Sequence, residues 1–262
     1  MSEKVLVRGV NWIGDAVMTL PAMKALRKAF PKATLSLLVK PHIGALFEKD
    51  PAIDEVIPYG VGDRGIIGRF RFAQKLRNMG FTRAFLFQNA FDAALIAFLA
   101  GIPVRVGYNR DGRGLLLTQA VPFHNDDRKI HHIQYYLNLL TAAGIEAGYS
   151  RPWISLQLEE RLSARKMLAH LRRPVLGINP GATYGSSKRW FPERFGEVAG
   201  WFIRDTGGSV VIFGSDGEMG IAREIEKHMI IQRLDMPMSG NGSLMNMAGK
   251  TTVRELISLI SE

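Results

Sequence analysis

Residues 174–192, PVLGINPGATYGSSKRWFP, join a buried-strand pattern, a small-residue loop and a helix start. The apolar run at 175–178 reads as a parallel strand covered on both faces. Pro180 and Gly181 break it, and small residues lead to Lys188 and Arg189 before a helix opens near Pro192 and Glu193. Strand, loop and helix start in that order can make an anion site. Unpaired N–H groups of the first turn and a glycine backbone can point at phosphate oxygens, and Lys188 adds a mobile full charge. Pro192 suits a first turn, where its missing donor is not needed. The spacing is not that of a Walker loop, GxxxxGK[ST]: Lys188 comes three residues after Gly185 instead of directly after it. The same letters also fit an ordinary strand-to-helix connection with surface cations.

The N-terminal part reads in the same grammar. Residues 5–8 form a strand, 9–14 a turn, and 15–30 a helix with Val17, Leu20, Met23, Leu26 and Phe30 on one face. Strands at 34–39 and 55–57 complete a βαβ unit. Asp15 has two readings: a helix cap, or a functional carboxylate at the carboxyl end of the first strand, where open α/β sheets bind ligands. Gly14 beside it would let a substrate approach the backbone. Residues 59–71, YGVGDRGIIGRFR, form a glycine-rich basic connection with Arg64, Arg69 and Arg71, followed by a helix to about residue 79. A strand at 84–87, a helix at 91–100 and a strand at 104–108 lead to a second such turn with Arg110 and Arg113. These five arginines are either solvated surface or a phosphate-gripping face. His131 and His132 open a helix to about residue 143. Adjacent positions diverge on a helix and no second ligand pair follows at i+4, so no metal site is expected.

An extended segment at 153–156 and a linking helix at 159–171 precede a second domain, with the division placed between residues 1–170 and 171–262. The second domain repeats the pattern with a strand at 175–178, a helix at 193–205, a strand at 209–213 and a helix to about residue 229. Residues 236–249 read as loop and 252–262 as helix. Gly214 and Ser215 allow another close backbone approach, and Glu218 either accepts hydrogen bonds from a ribose or complements a helix dipole.

Composition sets the class of partner. The 262 residues are 47% hydrophobic and 22% charged, with a net charge of +10 and no cysteine. Thiolate chemistry and disulfides are therefore excluded, and an anionic partner is favoured: phosphorylated substrate, anionic lipid or nucleic acid. No RNP, zinc-finger or basic-helix pattern supports nucleic acid. The first residues do not read as a signal peptide. The longest apolar run, 93–102, is too short to span a bilayer, so a soluble chain is expected.

Two long motifs, VNWIGDAVMTLPAMKALRKAFP (10–31) and NPGATYGSSKRWFPERF (179–195), together with FGSDGE (213–218) and MAGKTTVRELISLI (247–260), closely resemble the ADP-heptose:lipopolysaccharide heptosyltransferases of glycosyltransferase family 9. The resemblance implies an α/β chain of GT-B architecture, with two Rossmann-like domains facing a cleft. It implies transfer of L-glycero-D-manno-heptose, with inversion, from ADP-heptose to the inner core of lipopolysaccharide. Asp15, with Gly14, falls on the family's GD motif as candidate general base. Lys188 falls on its phosphate-binding lysine, with Thr183, Ser186 and Ser187 as donor-phosphate ligands. Glu218 and Thr251 map to the nucleoside side.

No cofactor or metal is implied, as the chain has no DxD sequence. Arg64, Arg69, Arg110 and Arg113 would meet a phosphorylated lipid A-Kdo-heptose acceptor, and the net charge would hold the chain at the anionic cytoplasmic face of an inner membrane. The NWIGD and ATYGSSKRW spellings favour a member acting on heptosyl-Kdo2-lipid A. A family transferase of other acceptor specificity, and a non-catalytic module binding anionic lipid or nucleotide, remain the alternatives. Family members continue into a DSGxxHxA-type donor motif, so the second domain is expected to be incomplete.

Overall fold

The structure is a computed structural model that describes residues 3–63, 65–182, 186–235 and 242–262. The chain divides into two compact units, Met1–Ser155 and Leu156–Glu262.

The first unit carries strands β1 (Lys4–Arg8), β2 (Thr34–Val39), β3 (Glu55–Pro58), β4 (Arg83–Leu86), β5 (Val104–Tyr108) and β6 (Gln119–Val121). Its helices are α1 (Ile13–Ala29), α2 (Pro41–Gly44), α3 (Gly65–Met79), α4 (Phe91–Leu99) and α5 (His132–Ala142). All neighbouring strands are parallel, in the order β3-β2-β1-β4-β5-β6. Helices cover both faces, so the central strands are apolar on both sides: Val5, Leu6 and Val7 of β1 are all buried. The order reverses between β1 and β4, and the carboxyl ends of those two strands are where such a sheet opens a crevice.

The second unit contains α6 (Leu158–Leu168), β7 (Val175–Ile178), α7 (Pro192–Thr206), β8 (Ser209–Ile212), α8 (Met219–Asp235), β9 (Leu244–Asn246) and α9 (Val253–Ser261). Its parallel strands lie in the order β7-β8-β9. The pleat sends alternate side chains of the middle strand to opposite faces. Val210 and Ile212 pack with Ala199 and Ile203 of α7 and Ala222 and Ile225 of α8. Val211 and the following Phe213 pack with Ala164 and Leu168 of α6 and Leu259 of α9.

That packing corrects the expected domain boundary. Helix α6 belongs to the second unit, against α9, and is tied there by Arg254 Nη2 to Glu160 at 2.6 Å and by Arg161 and Arg165 to Glu262 at 2.6 Å. The division therefore falls at 155/156, ahead of the expected 170/171. Two strands also escape the sequence pattern. β6 and β9 have three residues each, too few to show a period, and β9 lies inside the stretch read as loop. α3 opens at Gly65, so Arg69 and Arg71 stand on a helix and not in a basic loop.

Candidate active site

A cavity of about 350 Å³ opens in the first unit at the carboxyl ends of β1 and β4. Residues 10–12 and Asp15 line it after β1, residues 87–89 line it after β4, and Arg110, Phe123, Arg128, His132 and Tyr136 close it. The turn before α1 is tightly fitted: a Cβ on Gly9 would lie 2.5 Å from Val39 Cγ1. The cap position of α1 is taken by Trp12, which makes no side-chain cap bond, and Asp15 is the third helical residue. The cap reading of Asp15 is therefore corrected. Its Oδ1 lies 3.3 Å from His132 Nδ1, with the carboxylate 29% exposed towards the cavity.

His132 owes its position to its neighbour. His131 caps α5 by accepting from the Ile133 N–H at 3.2 Å, which leaves His132 free to face Asp15. Beneath them is a buried polar layer. Asn89 Oδ1 accepts from the Tyr135 hydroxyl at 3.0 Å and from Arg113 Nη2 at 3.1 Å, and the Tyr108 hydroxyl donates to the Tyr135 carbonyl at 2.8 Å. The Tyr108 and Tyr135 rings stack at 4.3 Å. Burial, then the Asp15 carboxylate, pushes the Tyr136 hydroxyl well above its ordinary pKa, so it remains a neutral donor in the wall.

The arginines separate into different roles. Arg110 lies 4.4 Å and Arg128 5.9 Å from the centre of the Phe123 ring, which places two cations in the cavity. Arg113 is fully buried. Its guanidinium donates to the carbonyls of Tyr108 and Gln88 and to Asn89, so it fixes the cavity floor and is not an acceptor ligand. Arg69 pairs with Asp92 at the start of α4, where Tyr59 also donates to the same carboxylate at 3.0 Å. Arg71 is exposed on α3, and Arg64 lies outside the described residues. With β2, β1 and β4 between β3 and β5, the two basic turns are separated by about 19 Å at the usual interstrand spacing. The four described arginines do not share one face.

In the second unit the carboxyl ends of β7, β8 and β9 carry close-packed glycine loops. A Cβ on Gly181 would lie 1.5 Å from Glu218 Oε1, and one on Gly249, at φ +69°, would lie 2.9 Å from Asp216 Oδ1. The Gly249 N–H donates to the Gly214 carbonyl at 2.9 Å, tying the third loop to the second. Glu218 closes a capping box: its Oε2 accepts from the Ser215 N–H at 2.7 Å and the Ser215 hydroxyl at 2.8 Å. Of the two readings of Glu218, the geometry gives the helix-start role.

Lys188 and Ser187 are exposed in a 3-10 turn, Ser186–Lys188, and Thr183 lies outside the described residues. Arg189 donates to the Ala182 carbonyl at 3.1 Å and closes this loop. Pro192 stands at the start of α7, whose cap residue Phe191 makes no side-chain cap bond; the Arg194 N–H donates to the Phe191 carbonyl at 3.1 Å. Thr251 is half-buried next to Thr252, which caps α9.

Three site residues gave no signal in the sequence: Arg128, Asn89 and Tyr136. His132 was marked only by the paired histidines at a helix start. Among the described residues no group of three or more His, Asp or Glu could hold a metal ion, and no helix is long and apolar enough to cross a membrane.

Parallel α/β units of this kind occur in many unrelated proteins, and solved structures place these two with the GT-B glycosyltransferases. The E. coli ADP-heptose lps heptosyltransferase II structure matches with a TM-score of 0.79 at 26% identity, covering 98% of this chain and 76% of that one. The lipopolysaccharide heptosyltransferase 2 of Salmonella typhimurium is 29% identical over 268 residues, covering 98% of this chain and 74% of that protein. Its E. coli counterpart is 28% identical with the same coverage. The family profile of glycosyltransferase family 9 (heptosyltransferase) matches residues 69–262, well over half of the chain. The chain belongs to glycosyltransferase family 9.

Proposed function

We propose that this chain transfers L-glycero-D-manno-heptose from ADP-heptose to a heptosyl-Kdo2-lipid A acceptor, with inversion, in assembly of the lipopolysaccharide inner core. The observation that carries the reading is Asp15, a partly exposed carboxylate at the switch point of the first sheet, in a cavity with two arginines and a histidine partner. The similarity to heptosyltransferases 2 supports the choice of donor and acceptor.

In this mechanism Asp15 takes the proton of the acceptor hydroxyl as its oxygen bonds to the anomeric carbon. The bond from that carbon to the diphosphate oxygen breaks, and ADP leaves with the electron pair. His132, with Nδ1 protonated, donates to Asp15 and holds the carboxylate in one orientation. Arg110 and Arg128 bind acceptor phosphate or carboxylate groups. Lys188, with Ser187, Ser186, Thr183 and the opening turn of α7, meets the charge developing on the leaving diphosphate. Gly14, Glu218 and Thr251 shape the donor side. Protein cations do this work without a metal cofactor. The net charge of +10 supports a peripheral location at the anionic cytoplasmic face of the inner membrane.

The test is incubation of the protein with ADP-heptose and heptosyl-Kdo2-lipid A, followed by mass spectrometry of the lipid and assay of ADP. Addition of one heptose per ADP released is expected. Transfer to Kdo2-lipid A but not to its heptosyl form would refute the acceptor assignment.

A further inference from the structure

Helix α3 divides its outward face into two zones. Ile66, Ile67 and Phe70 are 79%, 69% and 61% exposed at its N-terminal end, while Arg71, Gln74, Arg77 and Asn78 continue the same face towards its C-terminal end. The inward face, Phe72, Ala73 and Leu76, is buried in the core of the first unit. A helix that already buries one apolar face has no folding reason to display a second. The tip lies at the carboxyl edge of the sheet. At the same edge α1 and α4 begin, exposing Trp12 and Ile13, and Phe91.

The charge on this helix has one sign. Residues 65–79 hold three arginines and a lysine and no acid. The acids nearest in the structure are engaged: Asp63 accepts from the Gly60 N–H at 2.7 Å, and Asp92 is held between Arg69 and Tyr59. Lys40 lies over the Trp12 ring at 5.3 Å. Exposed aliphatic and aromatic side chains with cations behind them match an anionic bilayer surface. There the apolar groups enter the headgroup boundary and the long cationic chains reach phosphates.

We propose that the N-terminal tip of α3, through Ile66, Ile67 and Phe70, inserts into the headgroup layer of an anionic membrane. It rests on the reading of an enzyme with a membrane-borne acceptor and names the surface that does the docking. The absence of cysteine gives a clean test. Ile67→Cys and Asn78→Cys are each labelled with a polarity-sensitive dye and mixed with phosphatidylcholine vesicles with or without phosphatidylglycerol. The two positions are about 16 Å apart along the helix. The label at 67 shifts to the blue only with phosphatidylglycerol, and the label at 78 does not. The Ile66→Ser/Ile67→Ser/Phe70→Ser variant, with an unchanged circular dichroism melt, loses on the order of tenfold or more in vesicle partitioning.

An unmoved label at 67, or a triple variant that partitions like the parent, overturns the proposal. A label shift that follows protein concentration without vesicles, together with a dimer that the triple variant abolishes, assigns the patch to a second copy and also overturns it. Heptose transfer to a deacylated acceptor, measured in parallel, separates the two readings. Transfer with an unmoved label refutes the docking alone, and docking without transfer refutes the enzymatic reading alone.

Discussion

Gly181→Ala probes the contact between the loops that follow β7 and β8. The added methyl would sit 1.5 Å from Glu218 Oε1 and 2.1 Å from its Cδ. Ordinary contact needs well over 3 Å, so the carboxylate must move by roughly 2 Å. Its Oε2 bonds to the Ser215 N–H and hydroxyl, at 2.7 and 2.8 Å, do not survive such a shift. The cost is the capping box of the 3-10 turn Asp216–Glu218 that leads into α8, about 1–2 kcal/mol. Glu218→Ala removes the same box for a similar cost, and in that background the alanine at 181 meets no carboxylate. Urea unfolding of the four proteins should therefore give a double variant about as stable as Glu218→Ala alone, a coupling of about 1–2 kcal/mol. Hydrogen exchange should show faster exchange of the Ser215 amide in both single variants. Additive losses, or an unchanged Ser215 amide in Gly181→Ala, would refute the reasoning.

Arg113→Ala should destabilise the first unit by about 2–4 kcal/mol in urea unfolding, because it opens a hole and leaves the Gln88 carbonyl without its donor. Asp50 is buried, and burial raises its carboxyl pKa above 3.8 in the folded state. Keeping it ionised therefore costs stability as pH rises through that raised value, and nothing below the unfolded value, where both states hold the proton. Asp50→Asn keeps an acceptor for the Ala52 N–H. It should match the parent below about pH 4 and exceed it in stability at pH 7 in thermal melts. A chelator should leave heptose transfer unchanged, whereas Lys188→Ala should raise the ADP-heptose KM and lower kcat together, read by ADP release.

β1 and β2 were legible because they are buried on both faces: they appear at 4–8 and 34–39, where their apolar runs stand. β6 and β9 were not, since three residues carry no period and their pairing is made by tertiary partners. The unit boundary depended on which sheet face α6 covers, which its own amphipathic pattern does not say. Asp15 was visible as a carboxylate after the first strand, but the cap reading fell only with the backbone, which puts Trp12 at the cap position, and its partner His132 lies 117 positions away. Arg113 looked like Arg110 in its glycine-containing turn. Only the folded position of Gln88 and Asn89 reveals that one arginine faces the cavity and the other builds its floor.

The proposed transfer rests on Asp15 acting as the base. The sharpest test compares Asp15→Asn with the parent in steady-state transfer from ADP-heptose to heptosyl-Kdo2-lipid A, with ADP affinity measured by calorimetry. A fall in kcat on the order of 10²–10⁴-fold with ADP affinity unchanged is expected, since a base is needed only as the acceptor attacks. An Asp15→Asn protein that transfers heptose at the parent's rate, or one that loses ADP binding and stability instead, would contradict it.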